Sequence, residues 1–343
     1  MKCRGWSNKL VICLLMARSF ALPAQTSQLQ PRFFTAPADT HFIADHTEKL
    51  TARFYLLYQD ATFTINPDEG NRLLYKPNVN IRMGIAGFWK WFGLGLSIEN
   101  PFFKLSSETR GHTSFIDLRV NAYGRAVAAE LFLQQYKGFY ISNVNKKDGS
   151  NYLLPDMKSF SIGISAYWIY NATRFSIRAA FVQNERQIKS AGSFMVRPSF
   201  VFSRVTSTEG IIPPDLIVTD NIPVTDRVIS GNLYSYGLSP GYSYTLVFLR
   251  NFYFTATLFP GVYWQFYSYT TKLNSFTEDK FSFILNGRFA LGYNSDLWFT
   301  GLSFQLGLND FTDRFANTFY NYDVAQYRVW AGTRFDWFRK KKK

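Results

Sequence analysis

Apolar and polar residues alternate one by one along much of this chain, and this pattern restricts the fold more than any other feature. In the clearest example the polar positions are Ser159, Ser161, Gly163 and Ser165, and the apolar positions are Phe160, Ile162, Ile164, Ala166, Trp168 and Tyr170. Side chains with a period of two lie on opposite faces of an extended strand. The segment is therefore predicted to be a β-strand with one apolar and one polar face.

The same alternation recurs from one end of the chain to the other. Its apolar positions include Val79, Ile81, Met83 and Ile85; Phe92, Leu94, Leu96 and Ile98; Ile116, Leu118 and Val120; Phe175, Ile177, Ala179 and Phe181; Phe252, Phe254 and Leu258; Phe283, Leu285 and Phe289; and Trp298, Leu302 and Phe304. Aromatic residues make up 19% of the sequence, and they are enriched in strands. The predicted fold class is all-β.

The composition of the polar face separates a membrane barrel from a soluble β-sandwich. A soluble surface is usually rich in Lys and Glu, whereas this face consists mainly of Gly, Ser, Asn and Arg. Small side chains suit a barrel interior, and aromatic residues near strand ends are typical of the two girdles of an outer-membrane barrel. The sequence predicts a transmembrane antiparallel up-and-down β-barrel in a Gram-negative outer membrane. A soluble secreted all-β binding protein is the alternative.

Turns and loops bear on the number of strands. Short turns are predicted near residues 90, 124, 172, 250 and 295, and they alternate with longer connections, as in barrels with short periplasmic turns and long outer loops. Residues 205–233 disturb the count, because the strands before and after this segment would run in the same direction. A hidden strand near Ile211 to Val218 gives fourteen strands, and merging two assignments gives twelve. We expect twelve to fourteen.

The N-terminus is typical of an export signal. Lys2, Arg4 and Lys9 precede the apolar run from Leu10 to Ala17, and a small-residue cleavage site follows, after Ala24 or Ala21. We interpret residues 1–24 as a signal peptide, residues 25–48 as a periplasmic lead-in, residues 49–338 as the barrel and residues 339–343 as a basic tail. Cys3 and Cys13 are the only cysteines and lie in the signal segment, so the mature barrel would contain neither a disulfide nor a cysteine metal site.

The formal net charge of +14 does not indicate a nucleic-acid-binding surface. A large part of it comes from the signal segment and from the tail of Arg339 and Lys340 to Lys343. The remainder forms no lysine-rich stripe interleaved with aromatic residues. The partners we expect are outer-membrane lipid and, during biogenesis, the barrel-assembly machinery; no ligand is indicated.

Four short strings resemble a known family: Tyr75-Lys76-Pro77-Asn78, Tyr136-Lys137-Gly138-Phe139-Tyr140, Lys189-Ser190-Ala191-Gly192-Ser193-Phe194 and Gly241-Tyr242-Ser243-Tyr244. Together they resemble an uncharacterised family of bacterial envelope proteins labelled only as a domain of unknown function. The resemblance extends from about Lys49 to Phe338. It implies an outer-membrane location and carries no established activity and no functional residues.

Charged residues on the inferred inner faces are the candidate functional positions. We predict that the lumen is lined by Arg82, Glu99, Asp117, Arg119, Glu130, Arg178, Arg197, Arg288, Arg328, Arg334 and Asp336. In an open barrel, the excess of arginine would make an anion-preferring pore. In a closed one, the same residues would pair into a structural network, since buried charges are normally partnered.

Catalytic and metal sites are weakly indicated. His112, with Ser114 and Asp117 close in sequence, allows a His-Ser-Asp site at the barrel rim, as in an outer-membrane hydrolase or acyltransferase. A His at the edge of a loop is the simpler interpretation. Asp39, His41, Asp45, His46 and Glu48 lack a fixed metal-ligand spacing and are interpreted as part of a polar linker. We predict no cofactor, no metal and no enzymatic activity.

Overall fold

The computed structural model describes residues 37–68, 71–79, 81–99, 107–213, 216, 228–309, 314–315 and 318–336. The predicted signal peptide, the first part of the lead-in, the last two residues of the predicted barrel and the basic tail lie outside the described residues.

The described chain is built almost entirely of strands. They are β1 (Ile43–Asp45), β2 (Leu50–Asp68), β3 (Asn71–Lys76), β4 (Arg82–Trp89), β5 (Phe92–Glu99), β6 (Ser114–Tyr123), β7 (Val127–Asn145), β8 (Asn151–Ile169), β9 (Glu185–Gln187), β10 (Ala191–Thr206), β11 (Val228–Phe248), β12 (Phe252–Thr271), β13 (Ser275–Asn294), β14 (Trp298–Asn309), β15 (Arg314–Phe315) and β16 (Thr318–Phe335). Two short helices are α1 (Ser107–Arg110) and α2 (Ile177–Phe181). None of the helices in the described part of the chain is long and apolar enough to cross a membrane.

Twelve of the described strands form a closed antiparallel barrel. They follow the order β2, β4, β5, β6, β7, β8, β10, β11, β12, β13, β14 and β16, and β16 pairs back onto β2 from Phe319 opposite Asn66 to Phe335 opposite Leu50. Closure leaves the barrel without free edges. The prediction of an antiparallel barrel of twelve to fourteen strands is confirmed. Strand β3 bridges β2 and β7 beyond the shorter strands β4–β6.

The two ends of the barrel differ. At one end, here called the turn end, β4 joins β5, β11 joins β12 and β13 joins β14 through tight turns at residues 90, 249–251 and 295–297. Lys90, Leu249 and Arg250 have positive φ angles there. The opposite end, here called the loop end, carries the long β2–β4, β5–β6 and β10–β11 connections. It contains a cluster of buried apolar residues in which the Tyr75 hydroxyl donates to the Ile211 carbonyl at 3.0 Å.

The barrel is apolar outside and largely polar inside. Along β12, Phe254, Leu258 and Val262 are exposed, whereas Thr255 and Thr257 are buried. The other long strands show the same inversion, with exposed Phe283, Leu285 and Leu302. An exposed apolar belt of this size would be unstable in water and matches the hydrocarbon of a membrane. The prediction of a transmembrane barrel, with the apolar face of each strand outside and the polar face inside, is thus confirmed.

One predicted strand is wrong. Residues 175–181 contain α2 rather than a strand, because the Ser176 hydroxyl accepts a hydrogen bond from the Ala179 amide and caps the helix at its N-terminus. Without a strand at 175–181, the predicted strands before and after residues 205–233 run in opposite directions. In the structure β10 and β11 pair directly as antiparallel neighbours. No strand is then needed between them, and the described part of the predicted strand near Ile211 to Val218 is not extended strand.

Candidate functional site

The connection between β8 and β10 folds into the lumen at the turn end. We call residues 171–190 the plug. The backbone carbonyls of Ala179, Ala180 and Phe181 accept hydrogen bonds from Asn294, Tyr253 and Arg53, at 3.2, 3.1 and 2.9 Å respectively. These three donors lie on or at the ends of β13, β12 and β2, so the wall surrounds the plug.

Apolar packing fixes the plug in the same place. Phe175, Ile177 and Val182 of the plug are almost fully buried, and they belong to one cluster with the inward-facing rings of Phe88, Phe259, Phe299 and Trp330. Each buried side chain of this size contributes roughly 1.5–3 kcal/mol relative to its exposed state. The plug therefore fills the lumen at the turn end as a packed core.

A buried carboxylate ties the plug to the wall. Glu185 has no exposed surface, and its oxygens accept from Arg125 at 2.7 and 2.9 Å, from Arg178 at 3.0 Å and from the Ser176 hydroxyl at 2.5 Å. Arg178 also donates to the Tyr123 carbonyl. Burial of a carboxylate is tolerated only when partners replace its hydration. Arg178, predicted on a strand facing the lumen, thus belongs to the plug.

The lead-in packs against the plug. Strand β1 pairs with β9, with Ala44 opposite Arg186, and the amide of His46 donates to the Asn184 carbonyl at 3.1 Å. Burial, together with the nearby positive charge of Arg334, lowers the pKa of His46 to about 4. The Asp296 carboxylate is 3.4 Å away and opposes this shift, but it is largely exposed. Within the described residues, no group of three or more His, Cys, Asp or Glu could hold a metal ion.

A second charged cluster lies above the plug, towards the loop end. Asp117 accepts from Arg82 at 2.5 Å and from Arg119 at 3.2 Å. Arg82 also donates to the Gln59 side chain at 2.6 Å, and Gln134 donates to Asp117 at 3.1 Å. Three of the predicted lumen-lining residues are thus brought together on β4 and β6.

A third cluster is centred on Glu130 of β7. Arg288 of β13 reaches it across the lumen at 2.8 Å, and the hydroxyls of Tyr167 and Tyr123 donate to the same carboxylate. The Arg288 guanidinium also lies 4.3 Å from the ring centre of Phe181 in the plug. Opposite walls of the barrel and the plug therefore meet at this ion pair.

The remaining predicted positions are distributed unevenly. Arg334 is buried at the turn end and donates to the Gln183 carbonyl and to Asn294. Arg197 and Arg328 line cavities inside the lumen. Glu99 lies opposite Arg82 in the β4–β5 register, and Asp336 follows β16 and is exposed.

The middle of the lumen contains a cavity of about 200 Å³. Its polar lining includes Arg119, Arg197, Gln134, Ser235 and Asn286, and its apolar lining includes Phe132, Leu233 and Ile284. A smaller cavity of about 20 Å³ lies next to the plug and shares Gln305 and Gln326 with the larger one. A space lined by many hydrogen-bonding groups and a few apolar side chains suits a small solute.

The geometry gives no support to a rim site at His112. His112 and Ser114 are exposed just before and at the start of β6. Asp117, the proposed third member, is buried and engaged by Arg82 and Arg119. A catalytic carboxylate would have to orient the imidazole, and this one is directed into the lumen.

Comparison with known families places the chain in a group. A family model described as a domain of unknown function, DUF4421, matches residues 37–335. The chain belongs to this family. The resemblance drawn from the four short strings is thereby confirmed. No curated protein matches the DUF4421 chain.

Solved structures similar to this DUF4421 protein include several barrels. The outer-membrane protease OmpT from Escherichia coli is 9% identical with a TM-score of 0.33, over 85% of this chain and 98% of that one. The translocator domain of the autotransporter NalP from Neisseria meningitidis is 10% identical with a TM-score of 0.34, over 96% and 98%. The toluene transporter TodX from P. putida is 9% identical with a TM-score of 0.31, over 90% and 94%. Likenesses this distant carry no argument about activity.

Several residues of the site were missed by the sequence reasoning. Arg53, Arg125, Glu185 and Gln183 make the principal contacts of the plug, yet none of them was a candidate. Arg53 occupies an inward position of β2, so the alternation contained the signal for it. Arg125 and Glu185 lie in connections, where strand periodicity gives no information.

Proposed function

We propose that this DUF4421 protein is a non-enzymatic outer-membrane barrel that is closed at rest and holds a small solute in its lumen. The turn end then faces the periplasm and the loop end faces outside. The plug is the observation that carries the proposal, because it occupies the lumen at the turn end and is hydrogen-bonded to residues on or next to β2, β12 and β13. A permanently open pore would need a continuous aqueous path through this region.

The larger cavity, in the middle of the lumen, supports the proposal that the barrel holds a small solute. Its volume of about 200 Å³ exceeds the space needed for a few ordered waters. Its walls present side-chain amides, hydroxyls and guanidiniums, which bind polar solutes by hydrogen bonds. The charged clusters around Asp117 and Glu130 pair five of the eleven predicted lumen charges, in keeping with a structural network rather than a conducting path.

Cell fractionation and electrophoresis test the location. Recovery in the outer-membrane fraction and a change of gel mobility on heating are expected of a folded membrane barrel. Recovery in the soluble periplasm would favour the alternative of a secreted binding protein.

Planar-bilayer recording tests the closed state. The wild-type protein is expected to show no steady conductance. A variant in which residues 172–189 are replaced by a Gly–Ser segment of equal length should conduct, because the wall remains while the plug is lost. A wild-type barrel that conducts as well as this variant would contradict the proposal.

A further inference from the structure

Two arginines inside the barrel, each with a buried guanidinium Nε, lack a carboxylate partner. Arg53 is 6% exposed, and its guanidinium donates to the Phe181 carbonyl and to the Gln183 side chain. Arg328 donates to the Gln326 side chain at 3.3 Å. In the described part of the chain, no Asp or Glu lies within 4 Å of either guanidinium. By contrast, the carboxylate of Glu130 pairs with the neighbouring Arg288.

Both arginines line the smaller cavity, which we call the guanidinium pocket. Its volume is about 20 Å³, and its lining includes Arg53, Arg288, Arg328, Ser303, Gln305 and Trp330. Three buried donors on these residues have no hydrogen-bond partner within the described structure: Nε of Arg53, Nε of Arg328 and Nε1 of Trp330. Trp330 is 2% exposed, so bulk water does not readily satisfy its indole N–H.

Electrostatics requires a counter-charge in this place. A buried guanidinium without a partner is costly, and two of them beside the Arg288–Glu130 pair leave a local excess of positive charge. Unsatisfied buried donors add a further cost for each group. A single carboxylate in the guanidinium pocket would offset one of the two excess positive charges and accept from the free donors, through charge-assisted hydrogen bonds.

We propose that the guanidinium pocket binds the carboxylate of a small organic acid, whose body occupies the adjoining 200 Å³ cavity. The two spaces share Gln305 and Gln326, and the larger one combines polar groups with Phe132, Leu233 and Ile284. The pocket alone has room for about one water-sized group, which is the size of a single carboxylate oxygen. This inference rests on the proposed function in that it assigns the class of solute held in the lumen.

Trp330 provides a direct optical probe of the pocket. The purified full barrel in detergent is titrated with iodide, an anionic quencher of indole fluorescence, and separately with acrylamide, a neutral one. The contribution of Trp330 is the difference between the wild type and Trp330→Phe. We expect iodide to quench this component, and we expect butyrate to relieve the quenching at a concentration at least tenfold lower than chloride does.

Matched variants separate a binding site from a merely buried charge. Arg328→Gln and Arg53→Gln should each reduce iodide quenching of Trp330 at least fivefold and abolish protection by butyrate, whereas acrylamide quenching should stay the same. Arg204→Gln removes an exposed arginine on β10 and should change neither. Arg328→Lys keeps the charge and replaces Arg328→Gln in the experiment if the glutamine variant does not show the gel mobility of a folded barrel. Arg328→Lys should weaken protection by butyrate at least threefold.

Each alternative outcome has a distinct meaning. Quenching by acrylamide without quenching by iodide would overturn the anion site and leave the solute-holding barrel intact. Chloride as effective as butyrate would overturn the assignment to an organic acid. Failure of both quenchers to reach Trp330 would overturn the site and also contradict a lumen open to solutes.

Discussion

Glu185 of the plug and Arg125 of the β6–β7 turn form a bidentate ion pair, with N–O distances of 2.7 and 2.9 Å, in the interior of the barrel. Neither side chain is more than 7% exposed. Arg125 lies between β6 and β7, so the pair ties the plug to a part of the wall other than β8 and β10, the two strands that flank the plug in sequence. Four predictions follow from this arrangement and from the surfaces around it.

Glu185→Gln should loosen the plug. The substitution leaves Arg125 and Arg178 buried without a carboxylate, and breaking a buried pair in this way costs about 3–5 kcal/mol. Amide hydrogen exchange of residues 171–190 should therefore accelerate, and brief conducting events should appear in bilayer recordings. Glu108→Gln, at an exposed residue of α1, is the control and should behave as the wild type. Unchanged exchange in Glu185→Gln would show that apolar packing and the hydrogen bonds to the plug carbonyls hold the plug without this ion pair.

A disulfide between the lead-in and the plug should form without strain. Ala44 of β1 lies directly opposite Arg186 of β9, and opposed positions of antiparallel strands come within disulfide range. Ala44→Cys/Arg186→Cys, made in a chain that begins at residue 25, contains no other cysteine. We expect loss of free thiol and suppression of the conducting events of Glu185→Gln until a reductant is added. The two single-cysteine variants should keep their thiols, and a double variant that also keeps both would refute the β1–β9 pairing.

Neighbouring residues of β13 should respond in opposite ways to a new charge. Leu285 is exposed on the apolar belt, whereas Asn286 lines the internal cavity. Leu285→Arg should destabilise the barrel in lipid by about 2–4 kcal/mol if the residue lies near the middle of the bilayer, and Asn286→Arg should cost much less. The measurement is the fraction of each variant that folds into lipid vesicles at increasing urea concentrations. Gel mobility distinguishes the folded from the unfolded protein. Equal losses would argue against a lipid-facing belt.

Acid should release the lead-in through His46. Burial holds the pKa of His46 at about 4 in the folded protein, against 6.5 for a free side chain. The neutral imidazole is therefore favoured by the fold: its contribution is complete above pH 6.5 and is lost as the pH falls towards 4, by at most about 3 kcal/mol. Hydrogen exchange of residues 37–48 should rise over this range. His46→Gln should flatten the dependence, and an equally steep rise in that variant would assign the effect to another group.

Strand periodicity predicted the wall well and the lumen contents poorly, for a physical reason. Whether a residue such as Phe254 or Thr255 faces lipid or the lumen depends on its position in a strand. The alternation of apolar and polar residues in the sequence therefore predicts which face each side chain occupies. The plug obeys no such rule. Apolar residues alternate from Phe175 to Phe181 as they would in a strand, because the plug contacts the wall on several sides. The helix in this segment depends on the Ser176 cap, and a single hydroxyl is too small a signal to outweigh the alternation.

The sequence predicts which charged residues line the lumen, but it does not predict which of them form ion pairs with one another. Arg82, Asp117 and Arg119 were identified because they interrupt apolar or small residues on inward positions. Their pairing, and that of Arg288 with Glu130 across the lumen, depends on the register and closure of the sheet, which the sequence does not display. The direction of Arg53 and Arg328 towards one small pocket depends on the β16–β2 seam, formed by the two ends of the barrel sequence.

That seam bears on the order of assembly. Arg53 of β2 donates to the plug at Phe181, and Arg334 of β16 donates to it at Gln183, yet β2 and β16 become neighbours only when the barrel closes. The plug is covalently anchored between β8 and β10, in the middle of the chain, so it is made well before β16. Formation of the β2–β16 seam therefore closes the wall and brings the plug's partners on these two strands together in the same step.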